Sequence, residues 1–310
     1  MGHRRFEVTT LGTGAALPAR GRYPTSQLVN VNGSLYLIDC GEGTQQRLRS
    51  VGANFMRIGH VFISHLHGDH YLGLMGLISS MHLMGRTIEL HVHGPADLKP
   101  IIDLQLRSSQ TYLRYPLEFH ALEPVSGRSA WTDDRVEVSL LALRHRLPCT
   151  GFVFTEKRTQ RLLRKEKLYL IPQFMRDRVK HGEDLELPDG TVHPNRDLTT
   201  DPPEPRRYAY CSDTAYAPEL IDHIRGVDLL YHEATFTERL ARRAKETMHS
   251  TASQAAMLAH DADVGQLLLG HFSSRYKNTD ELLAEASAIF SRTSVSEDGH
   301  TYPVIARSIL

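Results

Sequence analysis

The sequence predicts an α/β fold whose strands end in metal-binding side chains, on three observations. Apolar, strand-like runs alternate with helical ones from Phe6 to Phe290. One run, Val61-Phe-Ile-Ser64, leads straight into His65-Leu-His67-Gly-Asp69-His70. His145, Asp213 and His271 share the address of His65, each standing just after an apolar strand. Three imidazoles and a carboxylate within six positions are costly to leave at a strand end without a partner. Together they suit zinc, and also manganese or iron.

The strand and helix signals follow in order. Phe6–Leu11 alternates as a strand, and Gly12-Thr-Gly14 breaks it with a turn. Gln27–Val31 and Ser34–Ile38 read as a hairpin around Asn32-Gly33. Asp39 then fits a helix cap or turn residue as readily as a functional one, before a helix from Gln45 to Val51. After the His cluster, Tyr71–Met84 reads as an apolar helix, Thr87–His93 as a strand and residues 97–109 as a helix. His91 and His93 repeat the His-x-His spacing inside a strand with no following carboxylate, which is a structural pattern. Strands are expected at Leu117–Leu122, Val136–Leu143, Gly151–Phe154, Arg207–Asp213, Val227–His232 and Gly265–Gly270. Helices are expected at Ala217–Ile224, after His249-Ser-Thr251 (with Ser250 or Thr251 as cap) and at Thr279–Phe290.

The texture changes in between. Glu156–Lys180 holds nine Lys/Arg against three Asp/Glu, and His181–Glu204 reverses the balance with recurrent Pro and Gly. A run of this kind reads as an insertion outside the main core. Its charge is either a solvated face or a phosphate grip. At 310 residues the whole chain, 1–310, is otherwise read as one layered domain, with the insertion at about 155–200.

Basic and acidic residues balance at 36 each, so a nucleic-acid partner has to be held by a local patch. Cys40, Cys149 and Cys211 are too few and too far apart for a disulfide framework, which fits a reducing cytoplasmic setting. The start, Met-Gly-His-Arg-Arg-Phe, has no apolar signal core and breaks the myristoylation pattern at Phe6. No apolar run is long enough to span a bilayer, so no membrane partner is expected.

Ligand arithmetic favours two ions. His65, His67 and His145 suit one; Asp69, His70 and His271 suit a second; Asp213 is the natural bridge, one oxygen to each. Such an arrangement leaves room for a shared, acidified water.

At these residues the chain resembles the metallo-β-lactamase superfamily and, within it, the short form of the ribonuclease Z family. Leu11-Gly-Thr-Gly14 with Asp39-Cys-Gly-Glu-Gly-Thr-Gln45 resembles the first block, and Ser64-His-Leu-His-Gly-Asp-His70 the second. Tyr231-His-Glu-Ala-Thr-Phe236, His249-Ser-Thr-Ala-Ser253 and Gly270-His-Phe-Ser-Ser-Arg-Tyr276 are similar to later blocks of that branch. The resemblance covers nearly the whole chain. It implies a four-layer αββα sandwich with two Zn2+ per subunit, Mn2+ or other divalent ions substituting. It further implies an endonuclease that removes 3′ trailers from precursor tRNA by phosphodiester hydrolysis after the discriminator nucleotide. The products are a tRNA 3′-hydroxyl and a 5′-phosphorylated trailer.

By the same resemblance, Asp69 orients or deprotonates the nucleophile, and His249 with Glu233 beside it protonates the departing oxygen. The insertion corresponds to a protruding exosite arm that clamps tRNA, often across a homodimer. Arg161, Arg164, Lys165 and Lys167 are then its phosphate-binding candidates. Ser273 and Arg275 are candidates for the scissile phosphate by adjacency to His271. Two departures stand out: Ile171-Pro-Gln-Phe-Met-Arg176 lacks the glycine of the bacterial arm tip, and Ser212 precedes Asp213 where glycine is usual. A hydrolase of small phosphodiesters, aryl sulfates or lactones is the alternative on the same scaffold. A non-catalytic RNA-binding or metal-storage protein is disfavoured by the intact ligand set.

Overall fold

A computed structural model describes residues 5–307; residues 1–4 of the amino-terminal stretch read above for a leader lie outside them. The chain divides into two compact units: residues up to Thr155 together with those from Arg206, and Glu156–Pro205.

In the larger unit the described residues form two seven-stranded sheets. The first runs, edge to edge, Thr301–Pro303, Phe6–Gly12, Ser26–Val31, Ser34–Ile38, Ile58–Phe62, Leu90–Gly94 and Leu117–Ala121. The second runs Thr293–Val295, Gln266–Gly270, Leu229–Glu233, Arg207–Cys211, Cys149–Glu156, Val136–Leu143 and Ser129–Thr132. The Asn32-Gly33 hairpin is present, with Val31 opposite Ser34. Both turn residues have positive φ, 51° and 91°, as a two-residue turn of this hand requires.

Alternation along the strands sorts the buried side chains into three layers. Tyr208, Tyr210, Tyr231 and Leu268 meet Val8, Val29, Tyr36, Ile38 and Phe62 between the two sheets. Leu37, Val61, Ile63 and Val92 point the other way, onto the helices Thr44–Ser50, Leu74–Leu83 and Leu98–Ser108. Ala209, Cys211, Leu230, Leu267 and Leu269 pack under the helices Ala252–Asp261 and Asp280–Ser287. Helix, sheet, sheet, helix is therefore the order of layers. Each sheet is buried on both faces, which is why its central strands read as unbroken apolar runs.

Two of the sequence boundaries move for visible reasons, and one open choice of cap is decided. The expected helix Tyr71–Met84 is two pieces, Gly68–Tyr71 and Leu74–Leu83. Gly73 intervenes, its N–H donating to Cys40 O at 2.9 Å. A Cβ there would lie 2.2 Å from Gly41 O. The expected strand Thr87–His93 is Leu90–Gly94. Buried Arg86 donates to the carbonyls of Ile88 and Glu89, each at 2.6 Å, and so draws them from the ladder. Of the two cap candidates, Thr251 caps the helix Ala252–Asp261 in a reciprocal capping box with Gln254.

The smaller unit has its own apolar centre of Ile171, Val179, Leu185 and Leu198. Two short ladders frame it, Leu162–Leu163 with Thr199–Thr200 and Leu185–Glu186 with Val192–His193. Buried Asn195 ties it together, donating to Val179 O at 2.6 Å and Glu183 O at 2.7 Å.

Candidate active site

The candidate ligands come from both sheets. His65, His67, Asp69 and His70 follow the strand Ile58–Phe62 of the first. His145, Asp213 and His271 follow Val136–Leu143, Arg207–Cys211 and Gln266–Gly270 of the second. Asp39, Asp213 and His271 have φ of 54°, 61° and 55°. Left-handed backbone is costly for residues with a Cβ, and it turns the chain sharply off each strand so that the side chain points across the strand tips.

His65, His67, His145 and Asp213 bring one donor atom each to within 4.8 Å of one another, and so do Asp69, His70 and His271. Asp213 joins the groups. Its Oδ1 lies 3.1 Å from His70 Nε2 and 3.0 Å from His271 Nε2. Its Oδ2 lies 3.7 Å from His65 Nε2 and 3.6 Å from His145 Nε2. Asp69 Oδ2 is 3.6 Å from both His70 Nε2 and His271 Nε2.

Groups behind the imidazoles fix their tautomers. His145 Nδ1 donates to Met248 O at 3.0 Å, and His271 Nδ1 to Thr235 Oγ1 at 2.9 Å. His70 Nδ1 donates to Asp39 Oδ2 at 2.7 Å, and His65 Nδ1 to Ser64 Oγ at 3.0 Å. Each of these rings therefore turns a bare Nε2 lone pair inward, the pattern of metal-ligating histidine. His70 Nε2 and His271 Nε2 are buried without a hydrogen-bond partner. Burial pushes His65 down to about 2, leaving it neutral. For His70 burial acts the same way, but Asp213, Asp39 and Asp69 outweigh it and raise it well above the ordinary imidazole value, a pull that an ion at Nε2 would answer in place of a proton. A buried imidazole facing three carboxylates marks a place that calls for positive charge, and the nitrogen and oxygen donors fit divalent ions such as zinc.

A second pair adjoins this centre. Glu233, fully buried, accepts from His249 Nδ1 at 2.9 Å, from the N–H of Thr214 at 2.6 Å and of Ser250 at 3.1 Å, and from Thr235 Oγ1 at 2.6 Å. Burial opposes charge on His249, yet Glu233 wins and raises it to about 9. His249 lines a cleft of about 720 Å³ together with His67, Asp69, His145, Asp213 and His271. Glu233 stays behind it, out of the cleft.

Of the other candidates, Ser273 and Arg275 also line the cleft. Arg275 donates to Ser273 Oγ at 3.2 Å and lies over the Phe236 ring. In the smaller unit Arg164 and Lys167 line a separate hollow of about 450 Å³ with His193 and Arg196 and with the carboxylates Glu166 and Asp197, and Lys165 is exposed. Arg161 differs: its Nε donates to Thr199 Oγ1 at 2.7 Å and it pairs with Asp201, so it braces its own unit.

The sequence left the role of Asp39 open and missed other residues. Asp39 is no helix cap: buried, it accepts from Ser64 N, Ser64 Oγ, His70 Nδ1 and Tyr210 Oη at 2.7–2.9 Å. Thr235 carried a signal, standing two residues after Glu233. Arg146 and Arg243 line the cleft but sit in ordinary surface sequence, and only the fold brings them there. His91 and His93 lie outside the donor groups able to hold an ion.

Comparison with known proteins gives the family. A ribonuclease Z of Phocaeicola vulgatus is 46% identical over 296 residues, covering 95% of this chain and 96% of its own. One of Bacteroides fragilis is 46% identical over 296 residues, covering 95% and 97%. The crystal structure of human tRNase Z, short form, superposes with a TM-score of 0.71 at 26% identity, over 96% of this chain and 99% of its own. A family model described as anti-Pycsar protein Apyc1 matches residues 6–193. That match stops short of Asp213, His249 and His271, whereas the relatives span nearly the whole chain. The chain belongs to the ribonuclease Z family of metallo-β-lactamase-fold endoribonucleases.

Proposed function

We propose that this chain removes 3′ trailers from precursor tRNA, hydrolysing the phosphodiester after the discriminator nucleotide. The observation that carries the chemistry is Asp213, whose two oxygens face two separate donor groups, with His249 lining the same cleft. The substrate class rests on the relatives, named ribonuclease Z, and on the human neighbour, named a tRNase Z.

His65, His67 and His145 would hold one zinc ion, Asp69, His70 and His271 a second, and Asp213 both. Bound there, the ions supply Lewis acidity and lower the pKa of water. The remaining work falls to the chain. Asp69, held by the Ala16 N–H at 2.8 Å, orients the attacking water and accepts its proton. The water oxygen bonds to phosphorus and the bond to the 3′-oxygen breaks. His249, kept protonated by Glu233, gives its Nε2 proton to that oxygen, leaving a 3′-hydroxyl on the tRNA and a 5′-phosphate on the trailer. Arg146, Arg243 and Arg275 offer the cleft's positive charge to the phosphodiester backbone.

Residues 155–200 act in this reading as a tRNA-gripping arm inserted into a single 1–310 catalytic domain. Arg164, Lys165 and Lys167, with His193 and Arg196, meet phosphates, while exposed Tyr169 and Phe174 offer faces for stacking. The enzyme works as a cytoplasmic homodimer. Among the described residues no helix is long and apolar enough to cross a membrane. Incubation of the zinc-loaded protein with a 3′-extended precursor tRNA, mapping both new ends, tests the proposal. A 3′-hydroxyl at the discriminator is expected. Intact precursor beside rapid hydrolysis of a small phosphodiester would favour the alternative substrate class.

A further inference from the structure

One wall of the cleft is a loop without a core of its own. Ala15, Ala16, Leu17 and Pro18 line the cleft, and residues 16–18 are exposed. Through this loop Ala16 N–H reaches Asp69 Oδ2 at 2.8 Å. Ala16 has φ +66°, a conformation that an L residue keeps only where its surroundings impose it.

We propose that Asp298 imposes it, as a positioning residue that sets Asp69 by clamping both stems of this loop. Asp298 Oδ1 accepts from Thr13 Oγ1 at 2.7 Å, and Oδ2 accepts from Tyr23 N–H at 2.8 Å. Thr13 and Tyr23 bracket residues 14–22, so one carboxylate ties the entry of the loop to its exit. Gly14 N–H adds a bond to Tyr23 O at 2.9 Å across the same neck. The clamp is itself fastened to the sheet: Gly299 N–H donates to Thr10 O at 2.6 Å, and Thr10 Oγ1 to Glu297 O at 2.5 Å. The far side of the loop is tied to the segment after His271, by Ala15 N–H to Phe272 O at 3.0 Å and Arg20 Nε to Ser274 O at 2.6 Å. A carboxylate suits this post because it accepts at both oxygens. An amide there would turn an N–H toward one of the two donors. The carboxyl-terminal turn thus reaches Asp69 through Thr13, Tyr23 and Ala16, although it touches neither cleft nor ligand.

The inference rests on the reading of Asp69 as a site carboxylate. The test compares wild type, Asp298→Asn and Thr13→Val as full-length, zinc-loaded proteins. Steady-state hydrolysis of bis-p-nitrophenyl phosphate is measured beside hydrogen–deuterium exchange of residues 14–22. In Asp298→Asn, kcat should fall about tenfold or more with KM within about threefold, because a small misplacement of a reacting group is costly. Exchange in the loop should rise. Thr13→Val, which removes one of the two bonds, should show a smaller loss in the same direction, and it carries the test if Asp298→Asn does not fold. Unchanged kcat in folded Asp298→Asn overturns the inference, and so does a loss matched by lost zinc or lost folded protein. Asp69→Ala separates the two layers: an active Asp69→Ala overturns both readings. An inactive one beside a fully active Asp298→Asn overturns only the clamp.

Discussion

A neutral imidazole near pH 7 is a poor acid, and His249 is placed where it stays charged. Burial alone would strip its proton; the Glu233 carboxylate at 2.9 Å more than restores it. Glu233 in turn keeps its charge because four donors converge on it. His249→Ala is therefore expected to lower kcat on precursor tRNA by roughly 100-fold or more while KM moves only a few-fold. Single-turnover rates beside binding measurements decide this, and equal losses in both would make His249 structural. Glu233→Gln keeps the shape but not the charge, so it should lie between wild type and His249→Ala. The same residue scale explains why Arg161 and Arg164 are not equivalent despite similar sequence surroundings. Arg161 is spent on Thr199 and Asp201, and Arg164 faces an open hollow.

Among the elements, the short helix Gly68–Tyr71 decides the site. His70 O accepts from Cys40 N–H at 2.7 Å and Gly73 N–H donates to Cys40 O at 2.9 Å, hooking that turn to the end of the strand Ser34–Ile38. The hook delivers His70 Nδ1 to Asp39. The inserted unit is the element most open to removal, having its own apolar centre and ladders. Deleting roughly residues 158–198 should raise KM for precursor tRNA strongly and spare hydrolysis of bis-p-nitrophenyl phosphate; a parallel loss of both would make the insertion part of the catalytic core. Arg164→Ala with Lys167→Ala should flatten the salt dependence of tRNA binding by about 1–2 in log–log slope.

A third element carries a pH dependence. His60, His93 and His120 stack between the sheet edges beside Trp131, with His60 Nδ1 3.2 Å from His93 Nε2. Burial pushes His60 down to about 3 and His93 to about 2. His91 and His120 add to the depression of both, Arg86 to that of His60, and Asp133 opposes it at His60. Unfolded imidazoles protonate near pH 6.5, so this contribution to stability is intact above 6.5 and is lost as pH falls toward 3. Each suppressed protonation costs about 1.4 kcal/mol per pH unit in that window. His93→Phe should move the acid-unfolding midpoint to lower pH, followed by circular dichroism; an unmoved midpoint would remove the cluster from the acid transition.

For the whole molecule, the site sits where the two sheets meet, so it exists only once both have formed and packed. Seven candidate ligands drawn from two sheets also mean that positive charge at the centre should stabilise the assembled sandwich. Stripping the ions with a chelator should abolish cleavage and lower the melting temperature, and zinc or manganese should restore both. Full activity in protein shown to be metal-free would end the two-ion reading.

The sequence alone determined the strand-and-helix alternation, the clustered His65, His67, Asp69 and His70, and the candidacy of His145, Asp213 and His271. These are local signals, because a polar side chain at the end of an apolar strand is conspicuous wherever the strand goes. It also marked off the insertion, because charge and proline content change there. The bridging place of Asp213 was expected from ligand arithmetic, and only the tertiary structure decided that Oδ1 faces His70 and His271 while Oδ2 faces His65 and His145. The same holds for Asp39 behind His70, Arg161 paired with Thr199 and Asp201, and the Gly73 break in an apparently continuous helix. Each of these depends on a left-handed turn or on a contact between segments far apart in sequence, which no periodicity or spacing encodes. At His65-Leu-His67-Gly-Asp69-His70 the letters name the donors, and the packing of two sheets decides which atom of each faces which neighbour.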